Sequence, residues 1–281
     1  MKAVRIVGVP EHFNLPWHLC IENNEFSQYD IDLQWTDVPE GTGKMCELLR
    51  NNQADIAVIL TEGIVKDIAA GNPSYIVQTY VKSPLIWGIH TAYQAPFQKI
   101  QDLQNKKVAI SRYGSGSHLM AIVNADKQNW DTKNLEFEVV NTIDNAVVSL
   151  QNQQADYFMW ERFMTKPLVD QKIFKKIADC PTPWPSFVIA VSKEFYQQNQ
   201  HVLEQILDIV NTTTAEFKYI PSIDKTLASR YNLELEDVQD WLSLTQWSQR
   251  KFDTKNFNTV QDYLFKLNLI DKKLNYQDVV K

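Results

Sequence analysis

Short apolar runs alternate with segments of helical period along most of this chain, and they do so in two successive sets. "AVRIVGV" (3–9) reads as a buried strand. Asn14, Leu15 and Pro16 follow, and a proline early in a helix suits "PWHLCIENNEF". "YDIDLQWTDV" (29–38) alternates with period two, and "EGTGKMCELLRNNQ" is a helix entered through glycine. "ADIAVIL" (54–60) reads as a parallel-type strand that stops at Thr61, Glu62 and Gly63 before another helix. "YIVQTYV" (75–81) and "LIWGIHT" (85–91) are further strands with only "KSP" between "YV" and "LI". Strands separated by helical segments predict an α/β fold with mainly parallel strands.

The second set opens with a predicted helix, "FQKIQDLQN", then strand "KVAIS", a glycine loop, helix "SHLMAIVNADKQN" and strand "LEFEVV". Helix "IDNAVVSLQNQQ", strand "ADYFMW" (155–160), a helix through 170, strand "FKKIA" and strand "FVIAVS" (187–192) complete it. Beyond that the pattern is helical, from "HVLEQILDIVNTTTAEFKYI" to "TVQDYLFKLNLI". Bend-prone residues in "GIHTAYQAP" and "PTPWPS" put the crossings between the two sets near 88–94 and 181–188. Two crossings make the lobes discontinuous: residues 1–90 plus 188–281 for lobe I, with the helical tail, and 91–187 for lobe II. Ligands of α/β sheets collect at the carboxyl ends of strands, so a cleft between lobes is the expected site.

A chain of 281 residues is long for one small domain and suits two lobes. Its net charge of −6 and the lack of a basic stripe argue against nucleic acid as a partner. No apolar run is long enough to span a bilayer. Pro10, Glu11 and His12 end the first apolar run too early for a secretory signal. The expected location is therefore cytoplasmic, or periplasmic if a leader has been removed. Cys20, Cys46 and Cys180 show no C-x-x-C spacing and read as reduced structural thiols. "EHFNLPWHLC" gathers Glu11, His12, His18 and Cys20 without zinc spacing, and a Cys–His nucleophile pair stays open there. There is no G-x-S-x-G, P-loop or dinucleotide fingerprint, so neither a cofactor nor a metal is expected.

Several stretches together resemble a known family. "DLQNKKVAISRYGSGSH", "NNQADIAVILTEG", "DVPEGTGKM" and "QQADYFMWERF" resemble, in order and spacing, segments of type II solute-binding proteins. The similarity covers about the first 190 residues and is nearest the branch for sulfonates, taurine, nitrate and thiamine-pyrimidine precursors, including its leaderless intracellular members. It implies a two-lobed Venus-flytrap fold with two hinge crossings, a ligand clamped between the lobes, and binding without turnover. It also implies that residues 12–17, 41–43, 61–63, 85–87, 111–117, 160–161 and 183–186 face the cleft.

Within those loops the residue types suggest specific contacts. Gly114 and Gly116 free the backbone, and a helix beginning near Ser115 or Ser117 would aim N–H groups and its positive dipole end at an anion. Ser111, Ser115 and Ser117 add hydroxyls, and Arg112 adds a fork of donors; the plainer reading is a capped turn with Arg112 in solvent. His12 suits a carboxylate or ring nitrogen, and Phe13 or Trp17 suits stacking. Equally, Asn14 caps the helix while both rings pack as core. Gly41 and Thr42, then Thr61 and Glu62, enter the next two helices. Glu62 and Glu161 would favour an amine or protonated ring nitrogen, or Glu62 is simply a first-turn helix acid. Trp87, Trp160 and Trp184 stand at strand ends and crossings, as aromatic walls or as core.

These features predict a protein that binds a small anionic or zwitterionic ligand, with a heterocyclic body among the candidates, as a receptor or carrier related to ABC-transporter components. A membrane permease complex is left open as a partner. The alternative is an enzyme of cofactor-precursor synthesis, of thiamine-pyrimidine type, on the same fold. The yeast synthases of that type carry a cysteine-rich motif that this sequence lacks, so no catalytic residue is assigned.

Overall fold

Ten strands form two separate five-stranded sheets in the computed structural model, which describes Met1–Lys281. In chain order the first elements are β1 (Lys2–Gly8), α1 (Leu15–Glu22), β2 (Ile31–Asp37), α2 (Thr42–Arg50), β3 (Ile56–Leu60), α3 (Thr61–Ala69) and β4 (Ser74–Val81). Next come β5 (Ile86–Ala92), β6 (Val108–Ile110), α4 (Gly116–Lys127), β7 (Phe137–Val139), α5 (Ile143–Gln151), β8 (Tyr157–Glu161), α6 (Arg162–Asp170) and β9 (Phe174–Pro181). After β10 (Phe187–Ser192) the chain is helical: α7 (Lys193–Gln198), α8 (Gln200–Glu216), α9 (Ile223–Tyr231), α10 (Leu235–Leu244), α11 (Thr254–Lys266) and α12 (Tyr276–Val279). No helix is long and apolar enough to cross a membrane.

The chain divides into two units, Met1–Ser83 with Pro183–Lys281, and Pro84–Thr182. The bend-prone stretch at 88–94 mostly lies within β5; the division falls earlier, at Ser83 and Pro84. The first sheet has the order β2-β1-β3-β10-β4 and the second β7-β6-β8-β5-β9. Each is mixed, where the sequence pattern predicts mainly parallel strands. In the first, β10 runs antiparallel to both β3 and β4; in the second, β5 does the same between β8 and β9. The physical reason is shared. β5 and β10 are each the first strand after the chain passes from one unit to the other, and each is inserted into the middle of a sheet. A strand buried on both faces reads as a continuous apolar run whichever way it points.

Burial follows this topology. Val4, Ile6, Ile56, Ala57, Val58 and Ile59 have no exposed surface, nor do Val188 to Val191. In the second unit Ala109, Phe158 and Phe174 centre a cluster with Leu150 and Ala146. The helix predicted over "FQKIQDLQN" is only a single 3-10 turn, Ile100–Leu103. Asp102 accepts from the N–H groups of Gln98 and Lys99, at 2.9 and 3.1 Å, and Asn105 ends the turn with φ of 59°. The helical tail packs onto the first unit, α8 against α1 and α11 against α3. It also lays Trp247 and Val280 alongside β4 as isolated bridges to Val81 and Ile76.

Candidate functional site

In the second unit the glycine loop joins the carboxyl end of β6 to α4. Ser115 is the N-cap, and its Oγ accepts from the His118 N–H at 3.3 Å. Ser117 Oγ accepts from the Ser111 N–H at 2.9 Å and lies 3.1 Å from Ser115 Oγ and 3.3 Å from Ser111 Oγ. All three serines are buried. Their hydroxyls are therefore spent on shaping the loop, so the donors left over are backbone N–H groups. The Gly114 N–H donates to His118 Nδ1 at 3.1 Å and that of Ser115 to the Arg112 carbonyl. The N–H groups of Gly116 and Ser117 point out of the first turn without a protein acceptor, as helix starts do. Arg112 is exposed, and its guanidinium has no protein partner.

The two glycines of the loop answer different needs. Gly114 has φ of 74°, a left-handed turn that favours glycine. Gly116 is not at positive φ. A Cβ there would come within 2.8 Å of Trp87 Cη2 and 3.1 Å of its Cζ2, so glycine is required for contact with the indole. Trp87 is 6% exposed, and its Nε1–H is buried with no acceptor. Trp160 packs edge-on to it, with centroids 6.2 Å apart, and stacks on Phe158. Glu161 is the direct cross-strand partner of Trp87 and the N-cap of α6, where its carboxylate accepts from the Met164 N–H at 2.8 Å. Burial pushes its carboxyl up to about 7, against the pull of three backbone N–H groups, Met164, Phe163 and Arg162, and of the Arg162 charge.

In the first unit three helices, α1, α2 and α3, start at or just beyond the carboxyl ends of strands, and none has a side-chain cap bond. Asn14 stands at the α1 N-cap, but its Nδ2 donates to the Val9 carbonyl at 2.9 Å, and its buried Oδ1 has no donor. The Phe13 carbonyl accepts from Tyr80 OH at 2.9 Å and Trp247 Nε1 at 3.2 Å, while its ring lies 4.0 Å from that of Phe187. Trp17 is fully buried against Trp35, Phe26 and Tyr80. The His12 ring is half-buried, 4.0 Å from the Trp241 ring, and burial lowers its pKa to about 4. Thr42 follows Gly41 and sets its methyl against Gly63. Thr61 Oγ1 donates to the Pro185 carbonyl at 2.6 Å, and Glu62 accepts from Trp184 Nε1 at 2.9 Å.

The contacts thus bring Ser111, Ser115, Gly116, Ser117 and Trp87 together, with Trp160 and Glu161 beside them. They likewise join Thr61, Glu62 and Trp184, and Thr42 with Gly63. Cys20 is buried, 3.1 Å from Thr213 Oγ1, and desolvation pushes its thiol up to about 12, which is the wrong direction for a nucleophile. No group of His, Cys, Asp and Glu side chains could hold a metal. Sequence reasoning missed Trp35, a half-buried ring that lies where a Gly8 Cβ would be, at 2.5 Å. The signal was an isolated glycine at the end of an apolar strand, which marks a close approach.

Two units, each a mixed sheet with helices starting at the strand ends, give the chain the type II periplasmic-binding-protein fold. Residues 87–180 match the family described as Ca3427-like PBP. The conserved Candida albicans CA3427 gene product, which defines a family with the generic periplasmic binding protein fold, is 28% identical, with a TM-score of 0.84 over 97% of this chain and 92% of its own. The periplasmic aliphatic sulphonate binding protein SsuA from Escherichia coli is 16% identical, with a TM-score of 0.78 over 100% and 92%. The alkanesulfonate-binding protein SsuA from Xanthomonas axonopodis pv. citri, bound to MOPS, is 15% identical, with a TM-score of 0.79 over 99% and 97%. These last two share the fold. No curated protein matches the chain.

Proposed function

We propose that the chain binds a small molecule through an oxyanion seated at the start of α4, and releases it unchanged. The observation that carries this is the Trp87 Nε1–H, a buried donor with no acceptor, whose ring rests on Gly116 at that helix start. An unsatisfied buried donor costs about 1–3 kcal/mol. A carboxylate, sulfonate or phosphonate oxygen would recover that cost and take the free N–H groups of Gly116 and Ser117 as well. The Trp87 and Trp160 rings suit a planar or apolar body on the same molecule. Aliphatic sulphonate and alkanesulfonate, named for the two SsuA proteins, are of this chemistry and support the reading. A receptor or carrier role, and a permease complex as partner, are wider proposals supported by the same resemblance.

The test is calorimetry with a panel of small sulfonates, carboxylates and phosphonates, with the ligand recovered and its mass checked. Trp87→Phe keeps an apolar ring and loses the N–H, and it should weaken binding about tenfold, the worth of one hydrogen bond to a charged group. If no oxyanion in the panel binds, or Trp87→Phe binds as the parent does, the assignment is wrong.

A further inference from the structure

The β8 strand beside Trp87 carries one carboxylate. Glu161 stands opposite Trp87 in the β5–β8 ladder, and directly opposed residues of an antiparallel pair have Cβ atoms about 5 Å apart. Its oxygens are held by the N–H groups that open α6, so the carboxylate is fixed in place. The charged and titratable groups around it are few. On α6, Arg162 lies 3.7 Å from Asp179, which in turn pairs with Lys176 at 3.0 Å. On β5 the neighbours are Trp87 and Gly88, and on β9 the residue opposite Trp87 is Cys180, a buried thiol. At the α4 start stand exposed Arg112 and His118, whose Nδ1 accepts from Gly114.

We infer that Glu161 selects the charge class of the molecule bound at the Trp87–Gly116 corner. A ligand that is only an anion binds with Glu161 protonated, whereas one with an ammonium group beside its oxyanion binds with Glu161 ionised. This rests on the oxyanion reading above. Two negative charges at neighbouring positions repel, and the repulsion is larger in a partly desolvated corner than in water. The simple anion therefore binds together with a proton taken from solvent onto a Glu161 oxygen. The zwitterion supplies the missing positive charge itself and drives that proton off. Burial holds the Glu161 carboxyl near neutrality, so both exchanges fall in an accessible range.

Ethanesulfonate and 2-aminoethanesulfonate are matched probes that differ by one ammonium group. Their sulfonates stay ionised throughout and the ammonium stays protonated below about pH 8, so pH dependence below that point belongs to the protein. Binding constants from calorimetry between about pH 5.5 and about pH 8.5 should move in opposite directions, by about tenfold each for one linked proton. Affinity for ethanesulfonate rises as pH falls, and affinity for 2-aminoethanesulfonate falls. Glu161→Gln keeps an acceptor for the Met164 N–H and removes the charge, so both profiles should flatten and the preference between probes disappear. If both probes move in the same direction, or the slopes survive Glu161→Gln, the inference is overturned. If neither probe binds at any pH, the oxyanion reading fails, and the inference with it. The parent profiles alone decide the matter should Glu161→Gln lose its fold by circular dichroism.

Discussion

Trp184 donates its indole N–H to Glu62 across 2.9 Å, and both side chains are buried. Trp184 lies between Pro183 and Pro185 in the segment that enters β10, and Glu62 is the second residue of α3. Beside them Thr61 donates its hydroxyl to the Pro185 carbonyl and its N–H to the Ser186 carbonyl, at 2.6 and 3.1 Å. Three hydrogen bonds thus fasten the first turn of α3 to the chain just after it returns from the second unit. Two residues proposed as ligand contacts spend polar atoms on each other.

Burial pushes the Glu62 carboxyl above the usual range, opposed by the hydrogen bonds from Trp184 and from its own N–H. A carboxyl whose folded pKa is raised binds more protons folded than unfolded, so its contribution weakens as pH rises above the unfolded value of about 4.3. Glu62→Gln keeps the acceptor for Trp184 and removes the charge. Its stability by urea denaturation should match the parent near pH 4 and exceed it increasingly as pH rises. Glu62→Ala leaves the Trp184 N–H unpartnered and should cost about 1–3 kcal/mol at all pH values. A parent and Glu62→Gln pair that run parallel across the range would show that the carboxyl titrates normally.

Gly116→Ala sets two effects against each other. Alanine gains about 1 kcal/mol over glycine in a helix interior and less at a first residue such as this one, but its Cβ would meet Trp87 Cη2 at 2.8 Å. Overpacking of that kind costs about 1–3 kcal/mol, so the variant should be destabilised and its oxyanion binding reduced. Combining it with Trp87→Phe removes the clashing ring carbons, and the double variant should recover the helix gain. A double-mutant cycle with coupling below about 0.5 kcal/mol would mean that the ring does not rest on Gly116.

The strand and helix succession was legible because buried strands and amphipathic helices have different periods, as "ADIAVIL" before "TEGIVKDIA" shows. Strand direction was not. "LIWGIHT" and "FVIAVS" are as apolar as their parallel neighbours, and only long-range pairing reveals them as antiparallel insertions. At the site, "SRYGSGSH" announced a helix start, which α4 supplies. That its serine hydroxyls would be consumed by one another, and that Gly116 answers to a tryptophan 29 residues earlier in sequence, depended on contacts no local pattern encodes. Asn14 reads as a cap from its position, yet its amide turns back to the Val9 carbonyl.

His90 predicts a loss of stability in acid. It lies on β5 with no exposed surface, its Nε2 3.0 Å from Thr165 Oγ1 and its ring beside that of Phe174. Burial lowers its pKa to about 4, with Lys176 adding to the shift and Asp179 opposing it. The unfolded chain takes up this proton at about 6.5, the folded protein only near 4. Stability therefore falls as pH drops from about 6.5 to about 4, by up to about 3 kcal/mol from this residue. His90→Gln should be less stable near neutrality, because the packing against Phe174 changes, but its stability should vary less over that interval. An unchanged slope would show that His90 is not the group responsible.

Arg112 separates binding from folding. Its guanidinium is exposed without a protein partner, so Arg112→Ala should change the unfolding free energy from urea denaturation by less than about 0.5 kcal/mol. Its place in the loop before α4 puts its charge near the free N–H groups of Gly116 and Ser117. An oxyanion at that helix start should therefore bind the variant less tightly, by about threefold to tenfold at low salt. Charges in solvent are screened over about 8 Å at physiological ionic strength, so the difference between parent and variant should shrink as salt is added. A difference that persists at high salt would indicate direct, desolvated contact between Arg112 and the ligand. No difference at any salt would remove Arg112 from the site and leave the oxyanion to Trp87 and the backbone of α4.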